Sequence, residues 1–254
     1  MHKVLKICLI CFGTIALIGI ILLVYIGFRY GIRTYKISDK LFLNESYSII
    51  YDDISIDTAA SSIEIKEADD EKIKLVIYGD DDKITVDKTD KTLSVKTNEE
   101  KCKFFCFNVM MPKVELYLPK NYHNNIHINN KYGNVNIDAF SKMNLDIKVN
   151  AGDAFIKEIK SITAKLNYGD IKIGKINEYL DINNDCGDIK IDSVNIEKDS
   201  YIKNDLGSIK VGSTNEIYIE AKTDLGDVQI NHNYINADIT LEIKNNCGDI
   251  KVNN

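Results

Sequence analysis

A phrase of the form Gly-Asp-Ile-Lys-Ile recurs down the second half of the chain, and nothing else in the sequence narrows the choice of fold as far. It reads "YGDIKIG" from Tyr168, "CGDIKID" from Cys186, "LGSIKVG" from Leu206, "LGDVQIN" from Leu225 and "CGDIKVN" from Cys247. With two looser copies the glycines are Gly133, Gly152, Gly169, Gly187, Gly207, Gly226 and Gly248, separated by 19, 17, 18, 20, 19 and 22 residues. A loose period of that size belongs to solenoids, in which one repeat buries its apolar face only against its neighbours. A catalytic motif has no reason to be repeated in this way, so the phrase is read as architecture.

Aligning the copies on glycine gives columns. Two residues after it stand Val135, Ala154, Ile171, Ile189, Ile209, Val228 and Ile250; four after stand Ile137, Ile156, Ile173, Ile191, Val211, Ile230 and Val252. The column between them is nearly all polar: Asn136, Phe155, Lys172, Lys190, Lys210, Gln229 and Lys251. This is the two-residue alternation of a strand with one buried face. Upstream pairs such as Ile126 and Ile128, or Leu180 and Ile182, repeat it. The residue just before each glycine is also mostly apolar, and it is expected to be buried. Because that position and the one two after glycine are three apart, the chain must turn at the glycine, where positive φ costs a residue with a Cβ roughly 1–2 kcal/mol. Asn167, Asp185, Asp205, Asp224 and Asn246, two before the glycines, are expected to fold onto nearby backbone donors.

A degenerate first copy, "ISIDTAASSIEIKE", places Ser61 where glycine would stand. Between it and the next copy, residues 71–118 hold "KIKLVIYG", "KITVD", "TLSVKT" and "VELYLP", expected to form a small antiparallel insertion packed on the first coil. The expected fold is all-β: a β-solenoid, a parallel β-helix-like stack of about seven to eight coils.

Residues 7–28 carry no charge, enough as a helix to cross a hydrocarbon core of roughly 30 Å. No small-residue cleavage site follows, and Lys6 and Ile7 precede Cys8, so an uncleaved anchor is expected rather than a signal or lipoprotein leader. The resulting division is a stub at 1–6, a transmembrane helix at 7–28, a juxtamembrane linker at 29–48 and the repeat domain at 49–254. The protein is expected in the cell membrane, single-pass, with the large domain outside the cytoplasm. Residues 1–36 hold five basic and no acidic side chains, which leaves 27 basic against 38 acidic on the remainder. An acidic body disfavours nucleic acid as a partner.

The opening "ISIDTAASSIEIKEADDEKIKLVIYGD", the "TLSVKT" strand, "VELYLPK" and the serial "GDIKI" phrases together resemble the bacterial β-strand-repeat adhesin family catalogued as domain of unknown function 4097. The resemblance covers 49–254. It implies a solenoid-like envelope protein, often membrane-linked, with no catalytic residues to carry over. The family's small residue before glycine is here Tyr, Cys or Leu.

Several side-chain sets invite a chemical reading. Asp153, Asp170, Asp188, Asp227 and Asp249 follow the glycines directly and would stack at ~4.8 Å. They form either a calcium ladder or, as the bland alternative, corner residues satisfying local donors. Cys186 and Cys247 share a column but are three repeats apart, roughly 14 Å, too far to bond. Cys102 and Cys106, among three Phe in "KCKFFCFN", mark a loop tip that is either disulfide-closed or covered and reduced. His123 and His127 are four apart, a spacing that unites side chains only on a helix. No cofactor is implied, and no nucleophile elbow, phosphate loop or zinc pair is present.

Function is therefore expected to be non-catalytic: a binding, adhesin-like or scaffolding module for an envelope glycan or protein. An accessory role in an envelope-stress or assembly system is a second reading, because the chain stops mid-coil at "CGDIKVNN" and an uncapped C-terminal coil invites self-association or a membrane partner. A polysaccharide-acting enzyme is a third, but it needs paired acids unique to one coil, and here the acids repeat.

Overall fold

The computed structural model describes residues 32–48, 51–80, 83–98 and 105–253, together with positions 12, 14, 16–20, 22 and 25. They fall into two bodies, one drawn from 1–36 and 100–110 and the other from 37–99 and 111–254. In the first, the described N-terminal positions are helical. No described helix is long and apolar enough to cross a membrane, and the other positions of the expected anchor at 7–28 lie outside the described residues. Strand β1 (Ile32–Ile37) pairs with β8 (Phe105–Met111) in a two-stranded sheet. The segment expected as a loop tip is thus a strand from Phe105 onward. The Cys102–Cys106 pairing lies outside the described residues.

The second body is a coil built on two parallel ladders. The upstream ladder runs through β3 (Asp53–Thr58), β10 (Asn125–Tyr132), the C-terminal halves of β11 (Val135–Ala151), β12 (Ala154–Tyr168) and β13 (Ile171–Cys186), and then β15 (Ser200–Leu206). The downstream ladder runs through β4 (Ser62–Glu67), the N-terminal halves of β11, β12 and β13, then β14 (Ile189–Val194) and β16 (Ile209–Thr214). The glycine corner joins upstream to downstream strand within each coil. A second bend leads back, marked in β11 by a register shift between Phe140 and Asn144.

Alternation places the apolar columns inside. In every coil from that of Ser61 to that of Gly248 except the coil of Gly226, the residues two and four after the corner are at most 3% exposed. Neighbouring entries are in register, as in Ile171 with Ile189 and Ile173 with Ile191. A fully buried Ile adds about 1.5–3 kcal/mol, so these columns carry most of the cohesion.

The segment 71–118 departs from expectation in a physically sensible way. Only β5 (Ile73–Tyr78) and β6 (Ile84–Lys88) are antiparallel additions. β7 (Thr92–Thr97) lies parallel to β3, and β9 (Lys113–Leu118) parallel to β4. Leu93 and Val95 continue the column of Ile54 and Ile56, and Val114 and Leu116 continue that of Ile63 and Ile65. The insertion therefore extends the solenoid and then caps it. The stretch 29–48, expected as a linker, contains β1 and β2 (Leu41–Tyr47), the latter antiparallel to β5.

At the other end the stacking order departs from chain order. β15 pairs with β19 (Thr240–Cys247), and β19 with β17 (Tyr218–Leu225). Likewise β16 pairs with β20 (Ile250–Val252), and β20 with β18 (Val228–Ile230). The last coil in sequence sits between the coils of Gly207 and Gly226. The coil expected to be uncapped at the C-terminus is covered on both sides, and the end of the stack is the coil of Gly226.

Candidate functional site

The corners form one column. A Cβ on Gly133 would lie 2.3 Å from the carbonyl oxygen of Ser61, and the same clash, at 2.1–2.3 Å with the preceding corner's carbonyl, recurs at Gly152, Gly169, Gly187, Gly207, Gly248 and Gly226 in that spatial order. Glycine is required by close approach as well as by φ. At Gly187, for example, φ is +135°. Ser61 carries a side chain in the same column, and beside it Ser62 N–H donates to Pro112 O (3.0 Å) of the segment leading into β9.

The Asp column settles into local hydrogen bonding. Asp170 N–H donates to Asp153 Oδ1 (2.9 Å), Asp188 N–H to Asp170 Oδ1 (3.0 Å), Ser208 N–H to Asp188 Oδ1 (2.8 Å) and Asp227 N–H to Asp249 Oδ1 (3.0 Å). Four of the five carboxylates, those of Asp153, Asp170, Asp188 and Asp249, thus accept the backbone donor of the next coil, as corner residues satisfying local donors would. Among the described residues no group of three or more His, Cys, Asp or Glu is arranged to hold a metal ion.

The residues two before the glycines do not cap the backbone. Asn167 Nδ2 donates to Asn150 Oδ1 (2.7 Å), and Asn246 Nδ2 to Asp205 Oδ1 (2.8 Å), both links between coils on the surface. The corner carbonyls are met instead by residues three before. Asn184 Nδ2 reaches Gly169 O (3.2 Å), Asn204 Nδ2 reaches Gly187 O (3.0 Å), Asn245 Nδ2 reaches Gly207 O (2.8 Å), and Thr223 Oγ1 reaches Gly248 O (3.0 Å). These asparagines are buried. They continue the inward parity of the Ile pairs, a signal that sequence reading could have used.

The column just before glycine is not buried. Tyr168, Leu206 and Leu225 are 63%, 53% and 69% exposed, because the turn at the corner swings this position outward. Cys186 and Cys247 lie in it as free thiols, each in register with Leu206. They are two ladder steps apart rather than three, roughly 10 Å, still beyond disulfide reach. His123 and His127 are not brought together as a pair. His127 stands outward on β10 with Nε2 3.3 Å from Asp53 Oδ1 and Nδ1 3.3 Å from Asp146 Oδ2.

A concavity lies on the outer face of the downstream ladder. It is a groove of about 490 Å³ walled by Lys66, Asp138, Phe155, Lys157, Lys172 and Lys190 and floored at Gly174. A Cβ at Gly174 would meet Lys157 O at 2.3 Å, so this position cannot carry a side chain and the floor stays open. Phe155 is the one aromatic in an otherwise polar column, in register with Lys172. The Lys172 ammonium lies 5.3 Å from its ring centroid, a cation–π contact. Lys157 pairs with Asp138 at 2.7 Å and Lys190 with Asp192 at 3.0 Å.

One end of the groove is a square of alternating charge. Lys66 contacts Glu64 (2.6 Å) and Glu115 (3.0 Å), and Lys113 contacts Glu64 (3.0 Å) and Glu115 (2.7 Å). The in-register pairing of β4 with β9 sets Glu64 opposite Glu115, and the lysines separate them. Burial would raise the Glu115 carboxyl, but hydrogen bonds from Lys113, Lys66 and Tyr117 outweigh it and hold the pKa down at about 2. Burial pulls the Lys66 ammonium down, and Glu64 and Glu115 more than reverse this, so it stays charged.

Comparison with known proteins follows this geometry. No curated protein matches the chain. Among solved structures, a "putative adhesin" from Bacteroides fragilis NCTC 9343 is similar at 18% identity over 87% of this chain and 100% of that one, TM-score 0.40. A "putative cell adhesion protein" from Clostridium sporogenes ATCC 15579 is similar at 14% identity over 84% and 99%, TM-score 0.37. A "putative lipid binding protein" from Parabacteroides distasonis ATCC 8503 is similar at 12% identity over 86% and 99%, TM-score 0.46. The model of the Toastrack DUF4097 family matches residues 51–254, the whole of the corner column included. The chain belongs to the Toastrack DUF4097 family.

Proposed function

We propose that this protein is a non-catalytic binding module of the cell envelope, held at the membrane by residues 7–28 with the solenoid outside the cytoplasm, and that it takes an extended envelope glycan along the groove of the downstream ladder. The observation that carries this reading is the half-buried Phe155 ring on the groove wall, above a floor kept open by Gly174 and flanked by Lys157, Lys172 and Lys190. An aromatic face with charged and polar groups beside it suits a sugar ring, whose apolar face stacks while its hydroxyls bond. A groove that runs across successive coils suits a linear polymer.

The acids in the groove support binding over hydrolysis. Asp138 and Asp192 stand three ladder steps apart, roughly 14 Å, beyond the 6.5–9.5 Å that even an inverting glycosidase uses, and Glu64 and Glu115, one step apart at the groove's end, are both tied up by Lys66 and Lys113. Each is also paired with a lysine. The test is binding of the detergent-solubilised full chain to purified envelope glycan. Wild type should bind saturably. Phe155→Ala should weaken binding at least tenfold, and Lys251→Ala, outside the groove, should leave it unchanged. Failure of wild type to bind any glycan in a broad panel, or equal binding by Phe155→Ala, overturns the proposal.

A further inference from the structure

The coil of Gly226 ends the stack with its outer side open. Among the described residues β17 pairs only with β19, and β18 only with β20. Val228 is 42% exposed, whereas Ile250, beside it in the same column, is 1% exposed. Ala221 and Ile230 are likewise half-buried next to fully buried Ile243 and Val252. The opposite end is treated differently, since β6 covers β7 while β5 and β2 continue beyond β9.

The direction of the free backbone groups follows from the bonds already made. In a strand the N–H and C=O of one residue point to the same side, and successive residues alternate. Tyr218 N–H donates to Ile239 O (2.9 Å), so Tyr218, Glu220 and Lys222 face inward to β19, and Ile219, Ala221 and Thr223 face out. Asn233 already occupies Ile219, its Oδ1 accepting from Ile219 N–H and its Nδ2 donating to Ile219 O, both at 2.8 Å. On β18, Asn231 N–H donates to Val252 O (3.1 Å), and Asp227 O accepts from Ile250 N–H (2.9 Å). Gln229 therefore faces β20, and Val228 and Ile230 face out.

We infer that a second copy of this chain completes this end across a two-fold axis, with β17 antiparallel to its counterpart about Thr223 and β18 antiparallel to its counterpart about Gln229. Both centres lie three residues from Gly226. The register opposes Thr223 to Thr223 and Val228 to Ile230, bringing outward-facing backbone groups together, while Leu225, whose C=O already accepts from Gly248 N–H (2.8 Å), lies beside Ala221 without bonding to it. Ile219, already satisfied by Asn233, falls outside the paired region. The outward side chains match as well, because Lys222 of each copy lies opposite Asp224 of the other. Centring on Lys222 would oppose Lys222 to Lys222 and Glu220 to Asp224, which like-charge repulsion disfavours. Centring on Ala221 would strip Asn233 from Ile219. The exposed core of Val228 and Ile230 is covered in the same step.

The test is the mass of the detergent-solubilised full chain by size-exclusion light scattering, with circular dichroism as the check on folding. Wild type should be a dimer. Lys222→Asp sets acid against acid twice and should raise the dissociation constant at least tenfold with an unchanged spectrum. Adding Asp224→Lys restores complementarity and should return the dimer. A monomeric wild type, a dimer indifferent to Lys222→Asp (as one held only by the N-terminal segment would be), or a double variant that stays monomeric overturns the inference.

Discussion

Replacing Gly187 with alanine should be among the most damaging single-methyl additions in the molecule. The new Cβ would lie 2.1 Å from Gly169 O, where contacts under 3.0 Å are essentially never found. The two coils would have to part by roughly 1 Å, and overpacking of that kind costs about 1–3 kcal/mol. Backbone strain at φ +135° adds about 1–3 kcal/mol. The bonds that join these coils at the corner include Gly169 N–H to Cys186 O and Ile171 N–H to Asp188 O, each 2.9 Å, Asp188 N–H to Asp170 Oδ1, 3.0 Å, and Asn184 Nδ2 to Gly169 O, 3.2 Å. Weakening even one costs about 0.5–1.5 kcal/mol. A total of about 2.5–7.5 kcal/mol follows, a large share of an ordinary domain's 5–15 kcal/mol. Ser61→Ala is the matched control. It occupies the same column, already carries a Cβ, and loses only a buried hydroxyl without a hydrogen-bond partner. Urea unfolding of the solubilised chain, followed by circular dichroism, compares the two. If Gly187→Ala unfolds within about 1 kcal/mol of wild type, or Ser61→Ala loses as much as Gly187→Ala, close approach is not what selects glycine.

Other expectations follow from the same geometry. Asn204→Ala removes the donor to Gly187 O in a buried site and should cost about 1–3 kcal/mol in the same unfolding assay. Acid should destabilise through Glu115. Its folded pKa of about 2 lies below its ordinary 4.5, so its contribution, about 3 kcal/mol, is complete above pH ~4.5 and is lost as pH falls toward ~2. Glu115→Gln should therefore lower stability at pH 6 and flatten the acid limb; an unchanged limb in pH-dependent urea melts contradicts the charge square.

Much of this architecture was legible because the physics that imposes it is local. A corner that admits no Cβ demands glycine each time it recurs, and a strand with one face inside demands alternation, so the corners and the Ile columns could be read directly. The column before glycine misled because Tyr168 and Leu206 are apolar by composition, yet the turn rotates them outward. Phe155 and Gly174 were visible as letters, but only the register places them side by side in a groove. The exchanged order of the last coils has no local signature, because "LGDVQI" and "CGDIKV" fit the same neighbours equally well. The long 22-residue step from Gly226 to Gly248 is the one trace of it, supplying the chain that doubles back.

That exchanged order can be tested by one cross-link. In a variant whose other native cysteines are serine, Leu206→Cys should form an intramolecular disulfide with Cys247 on mild oxidation, because the two positions are ladder neighbours at ~4.8 Å. A companion variant carrying Leu206→Cys and Leu225→Cys with Cys247→Ser should stay reduced, since the coil of Gly248 lies between them. Peptide mass mapping that finds 206 joined to 247 supports the winding described here. Finding 206 joined to 225 and not to 247 would mean that the coils stack in chain order and that the open end has been assigned to the wrong coil.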